Sequence, residues 1–225
     1  MMTPDQFQIS PMRRLKNRAA MAVLCVLTLM ALIPLIHVLH YVYRQGLPHW
    51  NLAFFTELPR PVGETGGGLG NAVVGSIALV SLAAAVGVPF GILVGIYLAE
   101  YERSRLSSLV RTTIELLSGV PSIVLGIFAY SAIVVPFGHF SMLAGSFALA
   151  VILLPVVAKT TEEVLKLIPA HIREAGLALG LPRWKVTIRI VLVAARSGIT
   201  TGVALALARV AGETAPLLFT ALSSQ

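Results

Sequence analysis

Apolar residues collect in five long runs that are separated by short polar segments. A helix needs about 20 apolar residues to cross a bilayer core of roughly 30 Å. The runs lie near 19–42, 71–99, 113–135, 141–158 and 199–222. The pattern therefore predicts an all-α membrane protein, a polytopic helical bundle with five spans.

The first run follows a basic segment that contains Arg13, Arg14, Lys16 and Arg18. Basic residues are retained on the cytoplasmic side, so residues 1–18 are predicted to be cytoplasmic and 19–42 to form the first transmembrane helix. A secretory signal peptide is the alternative, but its apolar part spans about 7–15 residues and ends at a small-x-small cleavage site. The run is longer and no such site follows, which favours an uncleaved anchor.

Segment 43–70 is rich in proline and glycine and carries Trp50. Proline and glycine mark loops, and tryptophan favours the membrane interface. The segment is therefore predicted to be an external loop without a helix. Its glycine cluster at 66–70 fits neither the dinucleotide nor the P-loop spacing, and we interpret it as a flexible loop that ends where the next helix begins.

Glycines recur at every fourth position of the second run, at Gly87, Gly91 and Gly95. This spacing places small residues on one face of a helix, where a neighbouring helix can approach closely. We expect a tight helix–helix contact along this face.

Composition supports a membrane protein independently of the runs. Of the 225 residues, 56% are hydrophobic and 12% are charged, whereas soluble domains contain about 25% charged residues. Mean hydropathy is +0.86. The net charge of +7 comes from basic groups at the ends of the runs, which is the pattern that orients spans and argues against nucleic-acid binding.

Catalytic and metal-binding patterns are absent from the sequence. The single cysteine, Cys25, allows neither a disulfide framework nor a multi-cysteine metal site. The histidines are scattered without a His-Glu-x-x-His motif, and no Gly-x-x-x-x-Gly-Lys-Ser/Thr loop occurs. The sequence predicts neither an enzyme nor a bound cofactor, so a partner must supply any ATP hydrolysis.

The polar segment 160–189 carries basic residues that cannot lie in hydrocarbon without a large cost, and it is therefore placed in the cytoplasm. Pro169 and Pro182 predict a helix–turn–helix there, with Gly180 at the sharp turn. Small residues between 175 and 180 would let the backbone of another protein approach closely.

This spacing resembles the cytoplasmic coupling loop of ABC-importer permeases, although Gly176 replaces the second alanine of that pattern and Val193 its proline. The resemblance implies docking on a cytoplasmic ATPase, with Glu174 as the anchor. The implied coupling residues are Arg173, Glu174, Ala175, Gly176 and Gly180. An amphipathic helix on the lipid surface is the alternative.

The last run is more specific. Its sequence Ala-Arg-Val-Ala-Gly-Glu-Thr-Ala-Pro-Leu at 208–217 resembles the PstA family, the A-type permease subunits of phosphate-specific ABC importers, with further matches at 115–124 and 159–163. The resemblance implies a MetI-like permease domain over 71–222 that includes the coupling loop. Such permeases typically have six spans, so the sixth is missing here, through truncation or as a shorter natural variant.

Arg209 lies about ten residues into the last run, at roughly 15 Å depth for 1.5 Å per residue. A charge at that depth costs about 2.5–3.5 kcal/mol and marks a substrate path. Glu213, four residues later, is expected on the same helix face as its ion-pair partner. A phosphate would compete for the guanidinium through bidentate hydrogen bonds, with Thr214 as a further donor. A pair that only fixes helix packing is the alternative.

The resemblance also implies an assembly in the bacterial cytoplasmic (inner) membrane. Its parts are a second, PstC-like permease, a PstB-like ATPase dimer that holds ATP and Mg, and a PstS-like phosphate-binding protein. Three alternatives stay open: a molybdate or sulfate permease, a truncated non-transporting remnant, and a secondary carrier. A carrier should show inverted repeats, and no convincing second copy of the Arg209 segment is evident.

Overall fold

The structure is a computed structural model that describes residues 11–61 and 66–221. The first ten residues of the predicted cytoplasmic segment, positions 62–65 of the predicted external loop and Leu222 lie outside the described residues. The described chain is helical without strands and divides into two compact units, Met1–Leu69 and Gly70–Gln225.

The first unit consists of α1 (Pro11–Gly46), a 3₁₀ turn (Leu47–His49) and α2 (Leu52–Thr56). The expectation of a helix-free loop from residue 43 was therefore wrong. The reason is a local cap, since the side chain of Asn51 accepts a hydrogen bond of 2.8 Å from the Phe54 amide and starts α2. No residue of α1 is buried.

The glycine cluster closes the loop against α2. A side chain at Gly68 would lie 2.5–2.8 Å from the carbonyl oxygens of Ala53, Phe54 and Glu57. The Leu69 amide donates to Phe54 at 2.7 Å. Glycine is therefore required here by the close approach of backbone.

The second unit is built around a central helix, α7. Its elements are α3 (Gly70–Glu100), α4 (Arg105–Gly119), α5 (Ser122–Ala129), a π turn (Tyr130–Val134), α6 (Val135–Phe137), α7 (Met142–Lys166), α8 (Ala170–Ala178), α9 (Arg183–Val186), a π segment (Thr187–Val191), α10 (Leu192–Ala211) and α11 (Ala215–Thr220). Helices α3, α4, α5, α10 and α11 all pack on α7. The core of the unit therefore lies along this helix.

Within the described residues, four helices are long and apolar enough to cross a membrane, and a fifth span exists if one bent pair is counted. The third predicted run is that pair: it is interrupted after α4 and bends by 102°. The fifth run is also broken, because its helix extends from Arg183 to Ala211 and then stops before α11. Continuous third and fifth spans were therefore wrong expectations. The fourth run continues as helix to Lys166, into the predicted polar segment.

The glycine face of α3 makes the expected close contact. Gly87, Gly91 and Gly95 are buried, and side chains there would meet Leu153, Val157 and Thr161 of α7. The three glycines of α3 and the three facing residues of α7 each recur every four residues. One face of each helix therefore forms the close α3–α7 contact, here called the seam. The prediction of tight packing on this face is confirmed.

Gly95→Ala is expected to destabilise the bundle by about 1–3 kcal/mol, the usual cost of overpacking. Its new methyl carbon would lie 2.6 Å from the Ala158 carbonyl oxygen and from Cβ of Thr161. Thermal unfolding in detergent measures the effect. Gly75→Ala on the same helix is the control, because nothing lies within 4 Å of that position, and equal destabilisation by both variants would contradict the seam.

Candidate functional site

Two helix breaks interrupt the second unit within its apolar segments. The first separates α4 from α5 at Val120 and Pro121, where the Pro121 nitrogen has no hydrogen to donate. The second lies at 212–214, between α10 and α11. Non-helical backbone at membrane depth is tolerated where it is buried in protein or lines a watered cavity. The backbone groups freed at both breaks therefore need polar partners, from the protein or from water.

The two breaks line one cavity of about 170 Å³. Helix α7 supplies its apolar wall. The lining residues are Leu117, Ser118, Val120, Pro121, Ser122, Leu125, Ile152, Pro155, Val156, Arg209 and Glu213. The volume is below the roughly 300–1,000 Å³ of sites for larger organic ligands, so the space suits a small ion.

The cavity offers several groups that favour an anion. Arg209 contributes a permanent positive charge from the last turn of α10. Ser122 begins α5, and the first turn of a helix carries amides without intrahelical partners at the positive end of its dipole. Ser122 adds a hydroxyl, whereas the Ser118 hydroxyl donates to the Ile114 carbonyl at 2.8 Å and offers only an acceptor oxygen. Arg209, the α5 amides and the Ser122 hydroxyl supply donors, and the Glu213 carboxylate also lines the cavity.

Arg209 and Glu213 do not form the expected ion pair. Helix α10 ends at Ala211, so Glu213 lies in the break and the same-face argument does not apply. Among the described residues, no ion pair joins Arg209 to a carboxylate. The prediction of an (i, i+4) pair was wrong, although both side chains line the same cavity.

Thr214 lies in the second break but does not line the cavity. It is exposed, and its carbonyl accepts the first hydrogen bonds of α11 from Leu217 and Leu218. The hydroxyls that line the cavity, on Ser118 and Ser122, were not identified from the sequence. The run Gly119-Val120-Pro121 was the available signal, because glycine followed by proline interrupts a helix.

The helical segments beyond the two breaks pack directly on each other. A side chain at Gly126 of α5 would lie 2.6 Å from the Cα atom of Pro216 in α11. Pro216 and Gly126 are both buried. This contact holds α5 and α11 together beside the cavity.

The polar segment 160–189, predicted to be cytoplasmic, has the expected helix–turn–helix form. Helix α8 begins after Pro169, and α9 begins after Pro182. Gly180 adopts a φ of +79° between them, a left-handed conformation that favours glycine. The segment is thus a compact turn.

The predicted coupling residues divide into two groups. Glu174 and Ala175 are exposed, and so are Leu179 and Trp184 of the same segment. Gly176 instead faces inward, since a side chain there would lie 2.9 Å from Ile190 and 3.0 Å from Val186. The close approach that this glycine permits is therefore made by its own chain.

Arg173 also contacts its own chain. Its guanidinium donates to the carbonyls of Leu165 and Ile168, both at 2.9 Å, and lies 3.4 Å from Glu100. The side chain braces α8 against the ends of α3 and α7.

Within the described residues, no cluster of histidine, cysteine or carboxylates could hold a metal ion.

A family model described as the inner membrane component of binding-protein-dependent transport systems matches residues 87–225. The chain belongs to this family. The permease domain thus includes both helix breaks and the α8–α9 segment.

Curated relatives of the permease are named as phosphate transport system permease proteins PstA. This chain is 48% identical to the PstA protein from Yersinia pestis, over 95% of this chain and 72% of the relative. It is 44% identical to the one from Pasteurella multocida over 95% of this chain and 76% of the relative. The resemblance to the PstA family is confirmed.

The permease also resembles a solved structure, the methionine ABC transporter MetNI in an inward-facing conformation. The TM-score is 0.56 at 20% identity, over 66% of this chain and 70% of the other. This likeness shows the fold alone and confirms the MetI-like bundle. The permease is therefore a multi-pass membrane component of a transport system.

Proposed function

We propose that this chain is the permease subunit of an ABC importer that moves inorganic phosphate across the bacterial cytoplasmic membrane. The observation that carries the proposal is the small cavity between two broken helices, lined by Arg209 and the start of α5. A guanidinium binds a phosphate through two parallel hydrogen bonds. Relatives named for phosphate transport support this choice of anion over molybdate or sulfate.

A second permease subunit completes the path. Arg209 is exposed on this chain and lies in the last turn of a helix that is long and apolar enough to cross a membrane. An arginine that faced hydrocarbon would cost about 2.5–3.5 kcal/mol or more. A related, PstC-like subunit therefore covers this face and leaves a watered path at the contact.

The cytoplasmic α8–α9 segment docks on a PstB-like ATPase dimer, whose ATP hydrolysis drives transport. Its exposed surface combines Glu174 and Ala175 with Leu179 and Trp184. A carboxylate beside exposed apolar side chains suits a groove with basic donors. ATP and Mg bind to that partner, and a PstS-like protein delivers phosphate at the outer face.

Phosphate selectivity is tested with proteoliposomes that contain this chain and its candidate partner subunits. Uptake of radioactive phosphate is expected to require ATP. With the labelled phosphate well above its KM, a tenfold excess of unlabelled phosphate should lower the uptake of label about tenfold through dilution of the label. The same excess of sulfate or molybdate should leave it nearly unchanged. Equal suppression by sulfate or molybdate would contradict phosphate selectivity, and ATP hydrolysis without uptake would support the remnant.

A further inference from the structure

A charged cluster at the cytoplasmic end of α7 lies outside the proposed path. Among the described residues, Glu162 is the one charged residue that is buried. Its carboxylate pairs with Arg111 of α4 and with Lys166, 2.9 Å away on its own helix. Lys166 also donates to Glu102 at 2.9 Å, and this hydrogen bond lowers the pKa of that exposed loop carboxyl.

Stability alone does not account for a buried carboxylate. Removing two charges from water offsets most of their attraction, and well-packed apolar residues often serve stability equally well. Such a pair does fix geometry, because the carboxylate must keep its cations in place. The cluster therefore points to the relative position of α4 and α7.

That position controls one wall of the cavity. Ser118 lies seven residues after Arg111 on α4, and Pro155 lies seven residues before Glu162 on α7. Seven residues are nearly two turns, so each pair shares a helix side at a separation of about 10 Å along the axis. Ser118 and Pro155 both line the cavity. The ion pair and the cavity thus lie along the same α4–α7 contact.

The cytoplasmic segment is attached to the same end of α7. Arg173 of α8 donates to the carbonyl oxygen of Leu165, three residues after Glu162, and to that of Ile168. A displacement of α8 would therefore move the end of α7 that carries Glu162. Rigid packed helices transmit such shifts as units.

We infer that Glu162 is a positioning residue that transmits movement of the α8–α9 segment to α4 and thereby to the cavity. The inference rests on the proposed function in so far as nucleotide-driven movement begins at α8. It assigns to one buried carboxylate the link between the ATPase contact and the path.

Glu162→Gln in the full reconstituted complex is expected to leave ATP hydrolysis in place while phosphate transported per ATP falls about tenfold, with KM for phosphate nearly unchanged. Glu163→Gln is the matched control, because this neighbouring carboxylate is exposed and makes no ion pair among the described residues. An unchanged ratio of phosphate to ATP in Glu162→Gln would overturn the inference. Arg111→Gln should reproduce the defect, and the double variant should be no worse than either single one.

A readout without phosphate separates the inference from the proposed function. Spin labels at Leu109 on α4 and Ala178 on α8, both exposed, report the distance between the two helices in a Cys25→Ser background. A non-hydrolysable ATP analogue should leave this distance nearly unchanged in the native complex, because α4 follows α8. It should change the distance in Glu162→Gln, because α8 then moves without α4. An equal change in both would overturn the role of Glu162, whatever ion is transported.

A folding defect is distinguished by Arg111→Lys, which keeps the charge but loses the planar fork of the guanidinium. This variant should unfold at nearly the native temperature and still lower phosphate transported per ATP. A native ratio in Arg111→Lys together with unfolded Glu162→Gln would reduce the pair to a structural role and overturn the inference.

Discussion

Arg209→Ala is expected to lower ATP-dependent phosphate uptake about a hundredfold or more. Hydrogen bonds to charged groups contribute about 1.5–3 kcal/mol each, and the variant removes two of them together with the cavity's one permanent positive charge on this chain. A loss of about 2.8 kcal/mol corresponds to a hundredfold. Initial rates of radioactive phosphate uptake in proteoliposomes measure the effect.

Arg209→Lys is the matched control because it keeps the charge and removes the bidentate geometry. We expect uptake between that of the native chain and that of the alanine variant. Native uptake in both variants would assign Arg209 to helix packing and remove the main support for an anion path. Because Arg209 is exposed and unpaired within the described chain, neither variant should lower the unfolding temperature.

Ala175→Arg is expected to prevent the ATPase from binding while the permease still folds. Ala175 is exposed on α8, so the new side chain has room in the isolated chain. At a close contact with a partner it would instead hold the two backbones apart, which commonly costs about 2 kcal/mol or more at the centre of an interface. Co-purification of the ATPase with the permease in detergent measures this loss.

Gly176→Leu provides the comparison at the neighbouring position. This glycine faces Val186 and Ile190, so a leucine should lower the unfolding temperature of the permease itself. Normal ATPase binding by Ala175→Arg, or a folding defect in that variant, would contradict an outward docking surface at α8.

The sequence predicted those features that depend on residue type and local spacing. The glycines at 87, 91 and 95 specify a close helix contact wherever their helix lies, and Gly180 specifies a turn whatever its neighbours are. The fold class and family were predictable for the same reason. The lengths of the apolar runs and the motif of the last run can both be read directly from the amino-acid sequence.

The cavity could not be predicted because it depends on where two helices stop. The sequence at 208–217 does not give the residue at which its helix stops, and only the structure shows that α10 ends before Glu213. Likewise, Gly176 is close to Val186 only because α9 folds back on α8. Whether a small residue faces its own chain or a partner depends on tertiary packing, and residue spacing alone does not predict it.

The peptide groups at the two helix breaks give the cavity a polarity that is independent of side-chain identity. Alanine at Ser118 or Ser122 would remove a hydroxyl, but the amides at the start of α5 and the carbonyls at the end of α10 would persist. Point substitutions among neutral lining residues should therefore weaken ion binding gradually. Sequences can drift at these positions while the path remains hydrophilic, provided that Pro121 and the interruption at 212–214 are retained.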